Sequence, residues 1–227
     1  MIDFYGERKL AYYAIKRESG PLCLGINRTT PELKALKSAP KQELGPPHDL
    51  TFKKHICDIW AVNMTLDATT ATVEVRLFDI STGEQLQERV LGPSTFEPNC
   101  STELAEDYSV NSTTAVQAKM LDENGNVIAR MSDWPQPLKH VILPQSYDIK
   151  LTVLEGKVEI RTNAPVKGVE VYMADDTRDV QWDDNGVDVF PGDVHVIKGY
   201  GIKKGDDLRI RYYGMGTSRL ARPTQET

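Results

Sequence analysis

Apolar positions recur three and four residues apart near the start of this chain and two apart over most of the rest. Leu10, Tyr13 and Ala14 fall at i, i+3 and i+4, and the aliphatic stem of Arg17 continues the stripe, which predicts a short helix. Lys16 and Arg17 place cations at its C-terminal end, and Gly20-Pro21 stops it. A helix this short is marginal by itself and has to pack on something. Beyond it the period changes. Leu22–Ile26 is a short apolar run, and the polar, proline-punctuated stretch from Arg28 to Pro47 predicts a long loop. Phe52–Val62 and Thr70–Asp79 read as strands, the second alternating at Val73, Val75 and Leu77. Ser81-Thr82-Gly83-Glu84 predicts a turn with Gln85–Leu91 as hairpin partner. Asp122–Asn126 predicts another between Ala115–Leu121 and Val127–Met131.

The pair of prolines in Trp134-Pro135-Gln136-Pro137 interrupts regular structure. Strands resume at Ile149–Leu154, Lys157–Thr162, Val169–Met173, Val187–Val189, Val194–Gly199 and Asp207–Tyr213. Short strands separated by Gly, Asn and Asp turns predict β-sandwiches. Three segments follow: a helix within 1–20, one sandwich over 21–141, and a second over 142–227 whose tail after Gly214 is polar. The length of 227 residues suits two domains at about 100–200 residues each.

Composition adds mainly exclusions. The chain is 40% hydrophobic and 26% charged with a net charge of −6, so it lacks the clustered cations of a phosphate-backbone binder and no nucleic-acid partner is expected. No apolar run reaches the roughly 20 residues of a membrane span, so no membrane partner is expected either. The opening MIDFYGERKL carries charges and no apolar core of a signal peptide, which predicts a cytoplasmic, intracellular protein. On that reading the sequons at Asn27, Asn63, Asn99 and Asn111 are unused. Cys23, Cys57 and Cys100 form no CxxC or Cys/His cluster and are expected as reduced, packed thiols.

Candidate chemistry is sparse. No GxSxG, HExxH, Walker or GxGxxG motif occurs. His48 and His55 lie seven apart without a third ligand, and no metal is expected. Asp122–Asn126 puts glycine at position four rather than six, and Asp183-Asp184-Asn185-Gly186 has no closing glutamate, so both read as hairpin turns rather than calcium loops. Nothing places two carboxylates at the separation that glycoside hydrolysis needs. No catalytic, cofactor-binding or metal-binding residue is therefore assigned, and no cofactor is expected. Trp60 and Trp182 are expected in cores. Trp134, beside the proline pair, is the open case, a sugar contact or an interdomain wedge.

At this point several stretches carry a resemblance. IDFYGERKLAYYAIKRESGP resembles the closing segment of the catalytic barrel in glycoside hydrolase family 2 β-mannosidases, the match resting on Asp3, Tyr5, Lys9, Tyr12, Tyr13, Lys16 and Arg17. DIWAVNMTL, LFDISTGE, NCSTEL, LDENGNVIARMSDWPQPLK and DVQWDDNGVDVFPGD are similar, in that order, to the fungal β-mannosidase B branch. The last resembles the C-terminal immunoglobulin-like domain of those enzymes. The resemblance implies an all-β chain: two tandem immunoglobulin-like β-sandwich domains preceded by one remnant helix of a (β/α)₈ barrel. It implies a parent enzyme that removes terminal, non-reducing β-D-mannose by a retaining mechanism, with both glutamates upstream of this segment. The chain alone would then be inactive, its partners the parent's catalytic barrel and, through it, a β-mannoside or manno-oligosaccharide. A helix without its barrel would leave apolar surface uncovered, so removal of residues 1–20 is expected to improve solubility. The alternative is a freestanding carbohydrate-binding or protein-interaction sandwich.

Overall fold

The structure, a computed structural model, describes residues 2, 4, 6–30, 54–174, 180–215 and 224–225. His48, Asp3, Tyr5 and most of the expected loop and tail lie outside the described residues. Two compact units are present. The central unit comprises Ser19–Phe78 and Gln85–Val141, and the terminal unit comprises Met1–Glu18, Asp79–Glu84 and Ile142–Thr227.

The central unit is a two-sheet sandwich. Its strands are β1 (Leu22–Thr29), β2 (Lys54–Asn63), β3 (Thr69–Asp79), β4 (Gln85–Phe96), β5 (Cys100–Asn111), β6 (Thr114–Leu121) and β7 (Val127–Asp133). One sheet has the order β1-β2-β5 and the other β4-β3-β6-β7. The inward residues of each strand, among them Ile59, Val73, Val75, Phe96, Val116 and Met120, make one apolar core. Period-two alternation is what sends them all to the same side.

Three expectations need correction here. The strand that begins at Leu22 does not give way to loop at Arg28 but runs through Thr29. Arg28 stays in the sheet because its guanidinium pairs with Asp133 of β7 and donates to the carbonyls of Asn111 and Thr114. β5 was not foreseen at all. Its buried residues, Ala105, Tyr108 and Val110, break step because Asp107 sits at φ 54, its N–H donating to the Asp58 carboxylate, where the pairing with β2 slips. Trp60 is not a core residue: Ile59 and Ala61 point inward, and Trp60 lies half-buried on the opposite face, against Gly25.

The cysteines divide. Cys57 is buried in this core, where burial pushes its thiol up to about 12, whereas Cys100 is exposed. Among the sequons, Asn63 is fully buried, with its amide donating to the carbonyls of Asp67 and Phe96 and its oxygen accepting from Thr65, while Asn27, Asn99 and Asn111 are exposed.

The terminal unit holds α1 (Leu10–Glu18) and a second sandwich. Its strands are β8 (Ile149–Leu154), β9 (Lys157–Thr162), β10 (Val166–Met173), β11 (Gln181–Trp182), β12 (Val187–Val189), β13 (His195–Tyr200), β14 (Leu208–Arg211) and β15 (Thr224–Gln225). They form sheets ordered β12-β10-β14 and β11-β13-β9-β8-β15. The core between them contains Leu151, Ile160, Val171, Ile197, Leu208 and Ile210, and it also contains Tyr13 of α1. The helix is thus packed into this unit, which weighs against the expectation that removing residues 1–20 improves solubility. Removal would strip Tyr13, which is 4% exposed, from an apolar core and uncover what it packs on.

Candidate functional site

The candidate site is the part of the terminal unit where α1 meets the segment from Gln181 to Val189. β11 pairs with β13 in one sheet and β12 pairs with β10 in the other, so Asp183–Gly186 carries the chain from sheet to sheet. It is not the hairpin turn that its composition predicted. Asn185 makes the crossing possible. Its side chain is buried, its oxygen accepts the N–H of Val171 at 2.8 Å, and its amide donates to the Val171 carbonyl at 2.8 Å. A side-chain amide here does the work of a strand neighbour for β10. Asp183 extends the β11–β13 ladder, donating its N–H to the Lys198 carbonyl and accepting the Lys198 N–H on its carboxylate.

The helix fastens onto this crossing with cations. Arg17 pairs with the Asp184 carboxylate and also donates to the carbonyls of Asn185 at 3.1 Å and Gly186 at 3.3 Å. Lys16 donates to the Asp183 carbonyl at 2.7 Å, and Arg8 donates to the Trp182 carbonyl at 3.1 Å. Cations near the C-terminal end of α1 thus meet backbone oxygens of the partner segment while they complement the helix dipole. Burial raises the Asp184 carboxyl above its ordinary range, and the charge of Arg17 only partly offsets that. Gly186 has φ +63 and sits so close to Leu10 that a Cβ would come within 2.9 Å of its Cδ2. A side chain there would force the Leu10 side chain to shift.

Beside this clasp lies an open groove of about 590 Å³. Of its lining residues Gly199, Ile202 and Trp182 are buried and make the floor, while Gly156, Lys198, Lys203, Glu155 and Gln181 are exposed and make the rim. Tyr200 stands at the edge, 84% exposed. Gly199 has to be glycine: a Cβ would meet the Trp182 ring at 2.8 Å and Ile202 at 2.6 Å. Lys198 and Tyr200 fall on the same outward face of β13, and Gln181 is the cross-strand partner of Tyr200.

The residues singled out by sequence are scattered. Trp134 is buried at 3% exposure, so no indole face is open for a sugar to stack on. Trp182 is in the core as expected, although one edge also floors the groove. Asp122 does close a hairpin between β6 and β7, accepting the N–H groups of Asn124 and Asn126. Among the described residues no group of three His, Cys, Asp or Glu side chains could hold a metal ion. Sequence reasoning missed Tyr200, Lys198 and Lys203. The alternation through His195–Tyr200 was the available signal, since it puts an aromatic on the outward phase just before Gly201.

Comparison with known proteins gives these features a setting. Residues 55–140 match the family described as the mannosidase Ig/CBM-like domain. The chain is 32% identical over 226 residues to β-mannosidase B of Thermothelomyces thermophilus, covering 95% of this chain and 25% of that protein. It is 24% identical over 220 residues to β-mannosidase B of Aspergillus niger, again covering 25% of that protein. The chain thus spans about a quarter of the length of these curated relatives. Among solved structures, β-D-mannosidase from Dictyoglomus thermophilum superposes on the whole chain with a TM-score of 0.65 at 16% identity, covering 24% of that chain. The exo-chitosanase CsxA from Amycolatopsis orientalis superposes on 95% of it with a TM-score of 0.56 at 15% identity, covering 28% of that chain. At such identities the likeness is one of fold.

Proposed function

Because this chain is β-mannosidase B-like over nearly its whole length and carries a mannosidase Ig/CBM-like domain at residues 55–140, we propose that it is the non-catalytic accessory region of a retaining β-mannosidase. The parent reaction is removal of terminal, non-reducing β-D-mannose. Such chemistry needs two carboxylates about 5–5.5 Å apart, one as nucleophile and one as acid and then base. This chain's residues take neither role. Their work is mechanical: the sandwiches hold the segment that leads out of the catalytic barrel.

The observation that carries this reading is the docking of α1. The helix that resembles the last helix of a barrel shares its Tyr13 with the sandwich core and is pinned through Arg17 to Asp184, Asn185 and Gly186. A module that buries one end of a neighbouring domain's last helix fixes that end in place. Trp134 belongs to the same reading as a packing residue rather than a sugar contact.

The test has two arms. The 227-residue chain is expected to release no mannose from β-mannobiose, whereas the same chain joined to a barrel that supplies both glutamates is expected to do so. Turnover by the chain alone, abolished by substituting one of its own carboxylates, would overturn the reading. In the joined enzyme, Arg17→Ala should cost about 1–3 kcal/mol, because a partly buried Asp184 loses its cation. It should shorten the half-life of activity at raised temperature without changing KM. A changed KM with unaltered thermal half-life would place Arg17 at the substrate instead.

A further inference from the structure

We infer that the groove between Tyr200 and Trp182 is a saccharide-binding site in which a pyranose ring stacks on Tyr200 and its substituents reach Lys198, Lys203 and Gln181. The inference stands apart from the clasp, and either can fail alone.

Three observations support it. The first is the state of the aromatic. Tyr200 is the outward residue at the end of β13, with 84% of its surface open, while Trp134 and Trp182 are buried. An exposed ring at the lip of a groove offers a flat apolar face, the surface that matches the C–H side of a pyranose. The second is the arrangement of polar groups around it. Gln181 lies directly across the ladder from Tyr200 and brings both a donor and an acceptor, and Lys198 lies two residues earlier on the same face. Lys203 and Glu155 complete the rim. Donors and acceptors around an aromatic face suit a molecule with hydroxyls at its edge and carbon–hydrogen at its face.

The third is charge. Arg8 and Lys16 are occupied, donating to the carbonyls of Trp182 and Asp183, whereas Lys198 and Lys203 are exposed cations on the same groove, which Glu155 and Asp183 also line. Two cations at a groove of an otherwise acidic chain favour oxygen-rich or anionic substituents over an apolar peptide. The floor is pre-formed, since Gly199 brings backbone against the Trp182 ring and its N–H donates to the Gly156 carbonyl, leaving no side chain to displace.

The test is a titration of the intact 227-residue chain, followed by NMR, with a neutral mannotriose and with a trisaccharide bearing a uronic acid. Saturable binding with a Kd on the order of millimolar is expected, as befits one stacked ring and a few hydrogen bonds. Tyr200→Ala should weaken it about tenfold, and Tyr200→Phe, which keeps the ring, by less than about twofold. Lys198→Ala with Lys203→Ala should weaken the acidic sugar more than the neutral one if the ammonium groups read a carboxylate, and both alike if they read hydroxyls. Tyr200 is exposed, so unchanged thermal unfolding of the variants will show that the fold is intact. No saturation with either sugar, or equal affinity of Tyr200→Ala and the parent chain, would overturn the proposal. So would self-association that Tyr200→Ala abolishes, because the ring would then serve a protein contact.

Discussion

Two short segments of this chain have almost the same composition and opposite roles. Asp122-Glu123-Asn124-Gly125-Asn126 and Asp183-Asp184-Asn185-Gly186 are both acidic, both carry Asn before Gly, and both read as turns. In the first, every hydrogen bond is local: Asp122 accepts from Asn124 and Asn126, and Gly125 donates back to Asp122. In the second, the partners are distant. Asn185 bridges to Val171, and Asp184 and Gly186 meet Arg17 and Leu10 of α1. The lesson is that turn chemistry predicts where a chain bends, while burial decides whether the bend is a decoration or a joint.

The sharpest way to break this comparison is through the asparagines. Asn185→Ala leaves the N–H and carbonyl of Val171 buried without their side-chain partner, which should cost about 3 kcal/mol. Asn126→Ala removes an exposed contact to Asp122 and should cost no more than about 0.5 kcal/mol. Urea midpoints of the two variants measure the difference. Equal midpoints would mean that the second segment is no more structural than the first.

The glycines sharpen it further. Gly125 and Gly186 both have positive φ, so alanine is strained at either by about 1 kcal/mol. At Gly125 the added methyl meets nothing within 4 Å, but at Gly186 it meets the Leu10 side chain at 2.9 Å. Gly186→Ala should therefore cost about 2 kcal/mol, and Leu10→Ala in the same chain should recover part of that by removing the clash. Thermal melts of the singles and the double would show this coupling, and strict additivity would argue that α1 does not sit on the crossing.

Much of this was legible beforehand. Period-two runs such as Val73–Leu77 and Ile149–Leu154 stated both strand and face, because one side of each had to be apolar. β5 was not legible, since a positive-φ residue at Asp107 shifts its phase in midstrand and no periodic template survives that. Nor was the role of Arg28, whose charge looks like loop until Asp133, more than a hundred residues on, is brought beside it. The helix stripe predicted that Tyr13 would be buried but could not say against what. The same limit explains the tryptophans and Tyr200. Aromatic character suggests packing or recognition equally, and only the outward phase of β13 separates Tyr200 from the others.

The two segments should also answer pH in opposite senses. Hydrogen bonds from the Asn126 side chain and from backbone N–H groups hold the Asp122 carboxyl below its ordinary value of 3.8. The ionised form is favoured in the fold, so its contribution is present above that value and is lost as pH falls through the lowered one. Burial holds the Asp184 carboxyl above 3.8 in spite of Arg17. Here the protonated form is favoured, so the contribution is present below the ordinary value and is lost as pH rises through the raised one. The stability gap between the parent chain and Asp122→Asn should widen as pH climbs from about 3 to about 6, and the gap to Asp184→Asn should narrow over the same range. Gaps that move in the same direction would show that Asp184 titrates as an exposed turn residue, and the distinction between decoration and joint would fail at its electrostatic end.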